Sequence, residues 1–499
     1  MRRSTGVLVL LSVFFLGFKV LRFQTLAYTF HDLYVFEQLA SGWIDGRPFL
    51  YDNFWGDHQR IHNYYTVWIW GPICYRMGVY GLFLIQTLLL LVSYGLTNQR
   101  LAKAGVPIWA RYGLLVVVLL GPVSAWLNDH PGTGWHTELT YLPVGILFAL
   151  ALTGQNRVWS VLTGLVLILI KEDGAVLAAM IHLAYFSITY LRQHPTQSGW
   201  LLWRERRFWV ISLGWGAVFI AGMTWLAYLN HFAEPRLRGA LLLIAKNIDT
   251  ITFWRQTGKE IGTTLLLLLP AGGFIYLLST QLTHIIRGKL FIIYGLGILV
   301  LSALNFVQSS LYYGDPSVYH SVGWTWPPRF VLPWTFTATF LIIMLVLFPP
   351  VQPAPVRSVW LVIGGLVFMQ LPILAVARPD LPHLAEWKAL VRGRVSPYKE
   401  RRYLDPTDLV VVRCLADQLP ARSTVLAFEY LLPYFHKHDI VWPTGKQYQL
   451  ADLALLSIDD KQNVRADLLM RRPYQIRRLK GYFLYVAADY QPVIQSCIR

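Results

Sequence analysis

Charged residues are scarce in this sequence, and acidic ones are the scarcest. Only 14% of the 499 residues are charged, with 27 Asp and Glu against 44 Lys and Arg, whereas 55% are hydrophobic and 15% are aromatic. This composition is too apolar for an ordinary soluble protein of this length and predicts a membrane protein. The formal net charge of +17 would suggest nucleic-acid binding in a soluble protein. Here we interpret the cations as topology signals and lipid-headgroup contacts.

Cysteine is also rare. The three cysteines, Cys74, Cys414 and Cys497, are far apart in the sequence and have no metal-ligand spacing. They therefore predict neither a disulfide framework nor a zinc site. The sequence also has no low-complexity tract and no clear internal repeat.

Long apolar segments fill the first three quarters of the chain. About eleven of them are long enough to cross a bilayer core of roughly 30 Å. They are residues 6–24, 79–98, 112–128, 137–153, 157–170, 174–191, 208–229, 261–282, 290–311, 330–349 and 358–377. We separate 157–170 from 174–191 because ionisable residues at 171–173 would be very costly at the centre of one continuous span. The sequence predicts an all-α polytopic membrane bundle of about 11 transmembrane helices over residues 1–379.

The connections between these segments alternate in charge. One set is basic and nearly free of acid: Arg2, Arg3, Arg100, Lys103, Arg111, Arg157, Arg192, Arg204, Arg206, Arg207, Arg287, Lys289 and Arg357. The other set holds the carboxylates: Asp32, Glu37, Asp45, Asp52, Asp57, Asp129, Glu138, Glu172, Asp173, Glu234, Asp249, Glu260 and Asp315. The positive-inside rule makes the basic side, with the N-terminus, cytoplasmic. Carboxylates from five loops then meet on the outer face, which indicates a site there.

The two ends of the chain complete this topology. Residues 6–18 resemble a signal peptide without a cleavage site, so we expect an uncleaved anchor in which Lys19 snorkels to the interface. An odd number of spans places residues 380–499 outside the cytoplasm. There, a helix-like run at 408–418 and strand-like runs at 423–428 and 453–458 predict a soluble α/β domain.

Asp32 lies near the start of a long outer loop, residues 25–63, in front of an amphipathic helix predicted at 32–43. We expect this helix to lie along the membrane surface. A carboxylate at this depth can accept a proton from a hydroxyl group or hold a cation that neutralises phosphate. The alternative is a helix N-cap, where Asp is favoured, and position alone favours the cap.

Two pairs, each of one histidine and one carboxylate, lie in outer segments. His136 can bind a metal or donate to a phosphate, and Glu138 can orient its ring. Asp57 and His58 offer ligands without a recognised metal spacing. The alternative for each pair is an interfacial polar pair beside a helix, and a single loop does not decide between the two.

The motif Lys171-Glu172-Asp173 carries more charge than a short polar turn requires. Lys171 can contact a lipid-linked phosphate, and Glu172 and Asp173 can set its charge or bind a substrate hydroxyl. Arg329 follows two prolines at the start of the tenth span and is a second phosphate candidate, because a guanidinium fork matches phosphate geometry. Ordinary interfacial anchoring explains Arg329 equally well.

Taken together, these motifs resemble the DUF2079 family of bacterial polytopic membrane proteins, which looks like part of the GT-C glycosyltransferase superfamily. The family patterns F-D-L-x-x-F-D-Q, G-R-P-F, G-x-H, F-H-P-E and K-E-D correspond to residues 31–38, 46–49, 56–58, 135–138 and 171–173. The departures are His31, Glu37, residues 59–61 and Thr137. Only Thr137 lies in a motif that we consider functional, and it leaves His136 and Glu138 in place.

The resemblance implies an inverting hexosyl- or pentosyltransferase in the bacterial inner membrane. It would move a sugar from a polyprenyl-phosphate donor to an envelope glycan, lipid or protein at the outer leaflet. The resemblance assigns general-base catalysis to an acidic residue in the first outer loop, which raises this role for Asp32 above the N-cap interpretation.

The resemblance also implies cations that stabilise the leaving phosphate. Lys171 and Arg329 are candidates, together with Arg47 of the G-R-P-F motif. A divalent cation held by Asp57, His58, His136 and Glu138 could serve instead. Oxygen ligands favour Mg²⁺ or Mn²⁺, and histidine admits Zn²⁺.

Two other classes of protein remain as alternatives. A transporter or lipid flippase of envelope precursors would also have about eleven spans, but it predicts ionisable residues near helix centres and often repeat symmetry. A non-catalytic scaffold would bind an envelope partner through its outer domain, but it gives no reason for the motifs at 135–138 and 171–173 to share one side.

Overall fold

The computed structural model describes most of the chain, and everything below refers to that part. The described residues are 2–24, 28, 32–53, 56–60, 62–129, 134–196, 199–231, 245–246, 248, 250–310, 328–350, 356–377, 406–427, 431–440, 451–457, 474–479, 482–487, 490 and 495–497. The boundary predicted between residues 379 and 380 lies outside them.

The described residues are mostly helical. The helices are α1 (Arg2–Gln24), α2 (Asp32–Ser41), α3 (Tyr65–Ile69), α4 (Gly71–Met77), α5 (Val79–Lys103), α6 (Ile108–Leu114), α7 (Pro122–Asn128), α8 (Tyr141–Thr153), α9 (Arg157–Ile170), α10 (Gly174–Gln193), α11 (Arg206–Leu229), α12 (Ile251–Ser279), α13 (His284–Ser310), α14 (Pro328–Leu347), α15 (Val356–Ala377) and α16 (Pro406–Gln418). Short 3₁₀ turns cover His58–Arg60, Thr137–Thr140, Gly199–Arg204 and Leu432–Phe435.

Eight helices in the described part of the chain are long and apolar enough to cross a membrane: α1, α5, α10, α11, α12, α13, α14 and α15. The multi-pass prediction is thereby confirmed, but the predicted number of eleven is not reached. The predicted span at 112–128 is a pair of helices bent by 46°, which would raise the number to nine. The segments 137–153 and 157–170 form shorter apolar helices, and 14 helical residues extend only about 21 Å.

The chain breaks at residues 171–173, as the cost of charge within a span predicts. α9 ends at Ile170 and α10 begins at Gly174. The two helices approach so closely that a Cβ atom at Gly174 would lie 1.9 Å from the carbonyl oxygen of Leu167. Glycine therefore lets the chain turn here and leaves the three charged residues between two apolar helices.

The bend between α6 and α7 is held by a side chain from another helix. A π-helical turn, Leu115–Leu119, follows α6. The Gln370 side chain of α15 donates to the Val117 carbonyl at 2.6 Å and accepts from the Val123 amide at 3.1 Å. A buried glutamine thus satisfies backbone groups that the bend would otherwise leave unpaired in an apolar environment.

α14 forms the centre of the helical part. Its side chains from Val331 to Leu345 are all buried, and it packs on α5, α8, α10, α12 and α13. This agrees with its sequence, since a helix that is apolar all round is suited to burial on every side.

The expectation that Lys19 snorkels to the interface is wrong. Its side chain is fully buried, and its Nζ donates to Gln86 Oε1 at 2.8 Å, to the Asn128 carbonyl at 2.9 Å and to the Gly134 carbonyl at 2.6 Å. These acceptors lie 67 or more residues away in sequence, so local patterning could not predict them.

The predicted helix after residue 32 is present, but its predicted position is wrong. Every residue from Leu33 to Ser41 is buried, so no face of α2 is left open along a membrane surface. The helix packs against α3, α4, α5 and the turn Leu432–Phe435.

Two small sheets complete the fold. Strands β1 (Tyr51–Asp52) and β2 (Gly56–Asp57) form an antiparallel hairpin. The C-terminal part contains β3 (Thr424–Leu426), β4 (Asp439–Ile440), β5 (Leu453–Ser457), β6 (Tyr474–Arg478) and β7 (Tyr482–Ala487), in the sheet order β4-β3-β5-β7-β6. β3 pairs in parallel with β4 and β5, whereas β7 is antiparallel to β5 and β6. The helix predicted at 408–418 and the strands predicted at 423–428 and 453–458 are present as α16, β3 and β5.

Polar contacts join the C-terminal sheet to α2 and to the loop that follows it. The carbonyl of His438 accepts hydrogen bonds from the side chains of Tyr34, Gln38 and Arg47 at 3.1–3.3 Å. Tyr434 stacks on Phe23 of α1 with ring centroids 4.9 Å apart.

Cys414 and Cys497 form a disulfide bond, which the spacing of the cysteines did not predict. The bond joins α16 to the last described helical residues across 83 positions of sequence. Sequence spacing could not reveal this pair, because the fold brings the two ends of the C-terminal part together.

We expect thiol counting to show this bond. In the denatured, unreduced chain only Cys74 should react with a maleimide polymer, whereas after reduction all three cysteines should react. The Cys414→Ser variant should show two reactive thiols with or without reductant, and we expect it to lose about 2–4 kcal/mol of stability in the C-terminal part. Three reactive thiols in the unreduced wild type would contradict the assignment.

Candidate functional site

The structure brings three sequence-distant segments together in one buried group, which we call the polar loop cluster. It consists of His62, His136, Glu138, Lys171, Glu172 and Asp173. Five of these side chains are buried, and the sixth, His62, is 14% exposed. The sequence motifs at 136–138 and 171–173 therefore meet in space, as their shared side of the membrane predicts.

Lys171 lies at the centre of the polar loop cluster. Its Nζ contacts Glu138 Oε1 and lies 3.5 Å from Asp173 Oδ2. Burial alone would lower the pKa of Lys171, but the nearby Asp173 and Glu138 carboxylates outweigh it and hold the pKa well above its usual value. Lys171 therefore stays charged, and its charge is already paired with two carboxylates.

The other two acids of the cluster have partners as well. Burial raises the pKa of Asp173 despite the neighbouring Lys171, and the Tyr141 hydroxyl donates to Asp173 Oδ1. Glu172 reaches the loop before α3, where its Oε1 lies 2.8 Å from His62 Nδ1 and its Oε2 accepts from the Asn63 backbone amide at 3.3 Å. Sequence reasoning missed His62, which has no motif to distinguish it.

His136 is held as a neutral ring. It meets Phe36 edge-on at 4.6 Å and Tyr64 at 6.0 Å between ring centroids. Burial, reinforced by the charge of Lys171, holds the pKa of His136 well below its usual value. Its Nδ1 accepts from the backbone amide of Glu138 at 3.4 Å and lies 3.9 Å from Glu138 Oε2.

Asp32 is connected to this group through α2. It is the first residue of the helix and is partly buried. Phe36 follows one turn later, on the same face of the helix, and Phe36 contacts the His136 ring. Asp32 therefore lies on the face of α2 that is directed toward the polar loop cluster.

The predicted pair of Asp57 and His58 is not formed. His58 Nδ1 lies 2.8 Å from Asp52 Oδ2, and both side chains are buried. Asp57 instead forms an ion pair with Arg60 at 3.3 Å, in which both side chains are largely exposed. The β1–β2 hairpin explains the change of partner, because it folds Asp52 back toward the residues that follow Gly56.

The structure does not assemble a metal centre from the described residues. No group of three or more His, Cys, Asp or Glu side chains among them is placed to hold an ion. The His58 ring stacks on the Tyr64 ring, with 5.4 Å between their centroids. Among the predicted metal ligands, His136 and Glu138 lie close to each other, with Nδ1 3.9 Å from Oε2.

Of the two predicted phosphate-binding arginines, only Arg47 has a described side chain. Arg47 is buried and forms an ion pair with Asp439 at 3.1 Å, and it donates to the carbonyls of Lys437 and His438. The described contacts of Arg47 are therefore with the C-terminal part of the chain and not with the polar loop cluster. Arg329 falls in the first turn of α14, but its side chain lies outside the described residues.

A further buried acid, Glu37, lies on α2. It is fully buried, and Ser41 donates to its Oε1 at 2.7 Å, while its Oε2 has no hydrogen-bond partner among the residues that the structure describes. Burial raises the pKa of Glu37 to about 8, against the effect of Arg47. Burial, with a smaller effect of the nearby Glu37 carboxylate, raises the pKa of the Cys74 thiol.

Glu37 predicts a pH dependence of stability. The folded state keeps a proton that the unfolded state loses near pH 4.5, so stability should fall as the pH rises from about 4.5 to 8. We expect Glu37→Gln to reduce this fall in thermal unfolding of the purified chain, whereas the surface variant Asp57→Asn should retain it. An unchanged pH profile for Glu37→Gln would contradict the assignment.

No protein-family model, no curated protein and no solved structure matches this chain. The candidate site is therefore supported by its geometry and by the sequence motifs alone.

Proposed function

We propose that this protein is a multi-pass membrane glycosyltransferase of GT-C type, related to the DUF2079 proteins. It would transfer a hexose or pentose from a polyprenyl-phosphate donor to an envelope acceptor, with Asp32 as general base. The observation that carries the proposal is the convergence of three loop segments on one buried polar group between apolar helices, with Phe36 of α2 packed against His136. Such convergence is typical of a site that handles a polar ligand.

The roles of the residues follow from their environment. Asp32 would accept the proton of the acceptor hydroxyl, which then attacks the anomeric carbon as the bond to the donor phosphate breaks. His136 is held neutral with Nδ1 accepting from the Glu138 amide, so its Nε2 is able to donate one hydrogen bond to a sugar hydroxyl. Lys171 is paired with Glu138 and Asp173, so we assign it a positioning role instead of direct contact with the phosphate.

Neutralisation of the leaving phosphate then needs another cation. Arg329 is one candidate, and a divalent Mg²⁺, Mn²⁺ or Zn²⁺ ion held in part by His136 and Glu138 is the other. A bound ion would supply Lewis-acid stabilisation of the phosphate oxygens.

The proposed orientation has two independent supports. The charge alternation places the N-terminus in the cytoplasm and the C-terminal part outside. The Cys414–Cys497 disulfide agrees with this, because disulfides persist in oxidising compartments such as the periplasm.

A transporter or lipid flippase is less well supported. Lys19 is the kind of buried ionisable residue within a span that marks many transport paths. However, three acceptors bind its Nζ, which fits a structural anchor better than a mobile relay.

The experiment that tests the proposal compares envelope glycans and lipids by mass spectrometry in a strain with and without this chain. A glycan modification that disappears on deletion and returns with the wild-type chain would support the transferase and identify its acceptor. An unchanged set of glycans together with accumulation of an unmodified precursor on one side of the membrane would favour the flippase.

A further inference from the structure

A cavity of about 600 Å³ lies at the end of the bundle where four helices terminate. α5 ends at Lys103, α8 at Thr153, α10 at Gln193 and α14 at Leu347, and each of these helices contributes lining residues close to its end. The lining side chains with polar groups include Arg100, Tyr185, Thr189, Arg192 and Gln193. None of the residues of the polar loop cluster lines this cavity, so it is a separate site.

The charged groups around this cavity are of one sign. Arg100 and Arg192 line it, and within the described part of the chain neither forms an ion pair with a carboxylate. The sequence around the four helix ends contains no Asp or Glu, in residues 95–111, 147–160, 185–200 and 340–360. An anion in the cavity would therefore meet two guanidinium groups without a competing carboxylate from these segments.

Capping of the helix ends explains Arg100 only in part. The carbonyl end of a helix carries a partial negative charge that a cation stabilises, and Arg100 Nη2 donates to the Thr153 carbonyl at the end of α8. A guanidinium group has five N–H donors, so this bond leaves other donors of Arg100 for a ligand. Arg192 is exposed and forms no hydrogen bond with any residue of the described ranges, so no described backbone group accounts for it.

α10 contributes a row of polar side chains to the cavity. Tyr185, Thr189 and Arg192 are spaced at i, i+4 and i+7, which places them on one face of the helix, and all three line the cavity. The Thr189 hydroxyl is buried and has no hydrogen-bond partner among the described residues. Buried hydroxyl groups in native proteins usually have a partner, which indicates that a bound molecule supplies one here.

We propose that this cavity binds the phosphate group of a small phosphate ester, with Arg100 and Arg192 as its charged contacts and Thr189 as a neutral one. Guanidinium forks match the oxygen atoms of phosphate, and their charge strengthens the hydrogen bonds. A phosphate alone would occupy little of the cavity, whose volume lies in the range of roughly 300–1,000 Å³ that is typical of small-molecule sites. The organic part of the ester would pack on Val346 and Leu347, which line the cavity at the end of α14.

Two sources of phosphate ester fit this chemistry. One is a soluble metabolite, and the other is the headgroup of a bilayer lipid, because the cavity lies at the end of membrane-spanning helices. The inference does not depend on the glycosyltransferase proposal, since no residue proposed for catalysis lines the cavity. In the orientation proposed above, the ester would enter from the cytoplasmic side.

The test measures binding to the purified full-length chain by native mass spectrometry in an uncharged detergent. The soluble probe is glycerol phosphate and the lipid probe is phosphatidylglycerol, and each is compared with its phosphate-free counterpart, glycerol or diacylglycerol. Arg192→Gln removes one guanidinium group from the cavity without removing a hydrogen bond to a described residue. The matched control, Arg207→Gln, removes the same charge at an exposed position of α11 outside the cavity.

We expect the wild type and Arg207→Gln to bind one of the two esters in preference to its phosphate-free counterpart. Arg192→Gln should bind that ester about tenfold more weakly, as the loss of one charge-assisted hydrogen bond predicts. Binding of glycerol phosphate would identify a soluble ester, whereas binding of phosphatidylglycerol alone would identify a lipid headgroup. The proposal is overturned if neither ester binds better than its counterpart, or if Arg192→Gln weakens binding no more than Arg207→Gln.

Discussion

Replacing Asp32 with Asn is expected to lower sugar transfer by about 10²–10⁴-fold without preventing folding or membrane insertion. The amide keeps the shape of the carboxylate at the start of α2, but it cannot accept a proton at neutral pH. The measurement is restoration of the wild-type envelope glycan in a deletion strain, followed by turnover with the purified variant once the acceptor is known.

A matched control distinguishes loss of the Asp32 proton acceptor from loss of one negative charge. Asp45 belongs to the same loop, after the end of α2, and Asp45→Asn removes the same charge at a position outside the candidate site. We expect Asp45→Asn to restore the glycan fully. If Asp32→Asn restored it equally well, the proton-accepting role of Asp32 would have to be abandoned, although the glycosyltransferase proposal itself could still stand on another base.

The second large effect is expected at Lys171. Lys171→Met keeps the length and apolar stem of the side chain but removes the cation that Glu138 and Asp173 share. Breaking a buried ion pair by removing one partner leaves uncompensated charge and typically costs about 3–5 kcal/mol. We therefore expect a large fall in the thermal stability of the purified chain, together with loss of function.

The double variant Lys171→Met/Glu138→Gln tests whether this loss comes from the unpaired carboxylate. Because it also removes one of the two carboxylates that lose the Lys171 cation, it should recover part of the stability lost in Lys171→Met. Recovery of folding without recovery of glycan transfer would identify the pair as a positioning element of the site. Equal stability of the single variant and the wild type would show that Lys171 is not paired as described.

Sequence reasoning predicted the features that depend on local pattern. Apolar length revealed the eight long spans, and the cost of charge within a span located the break at residues 171–173. The sequence could not predict features that depend on distant partners. From sequence alone Lys19 is expected to snorkel, because its acceptors on Gln86 and Asn128 are distant in sequence. The Cys414–Cys497 bond likewise forms only when the fold brings together two positions 83 residues apart.

The candidate site shows the same division. Motif order was sufficient to group His136, Glu138 and Lys171, because topology places their loops on one side. The pairings within the group were not predictable. Asp57 is adjacent to His58 in sequence, yet in the β1–β2 hairpin His58 contacts Asp52 instead. Glu172 contacts His62, which lies 110 positions away in sequence.

The position of Lys19 also has a consequence for how the chain is made. α1 emerges from the ribosome before α5 and α7, but the groups that accept hydrogen bonds from Lys19 belong to residues 86, 128 and 134. Until those residues are synthesised, α1 carries an unsolvated ammonium group that resists full entry into lipid. We therefore expect α1 to reach its final position in the membrane only after α5 and α7 have been inserted. Residues 2–128 would then be inserted as one unit.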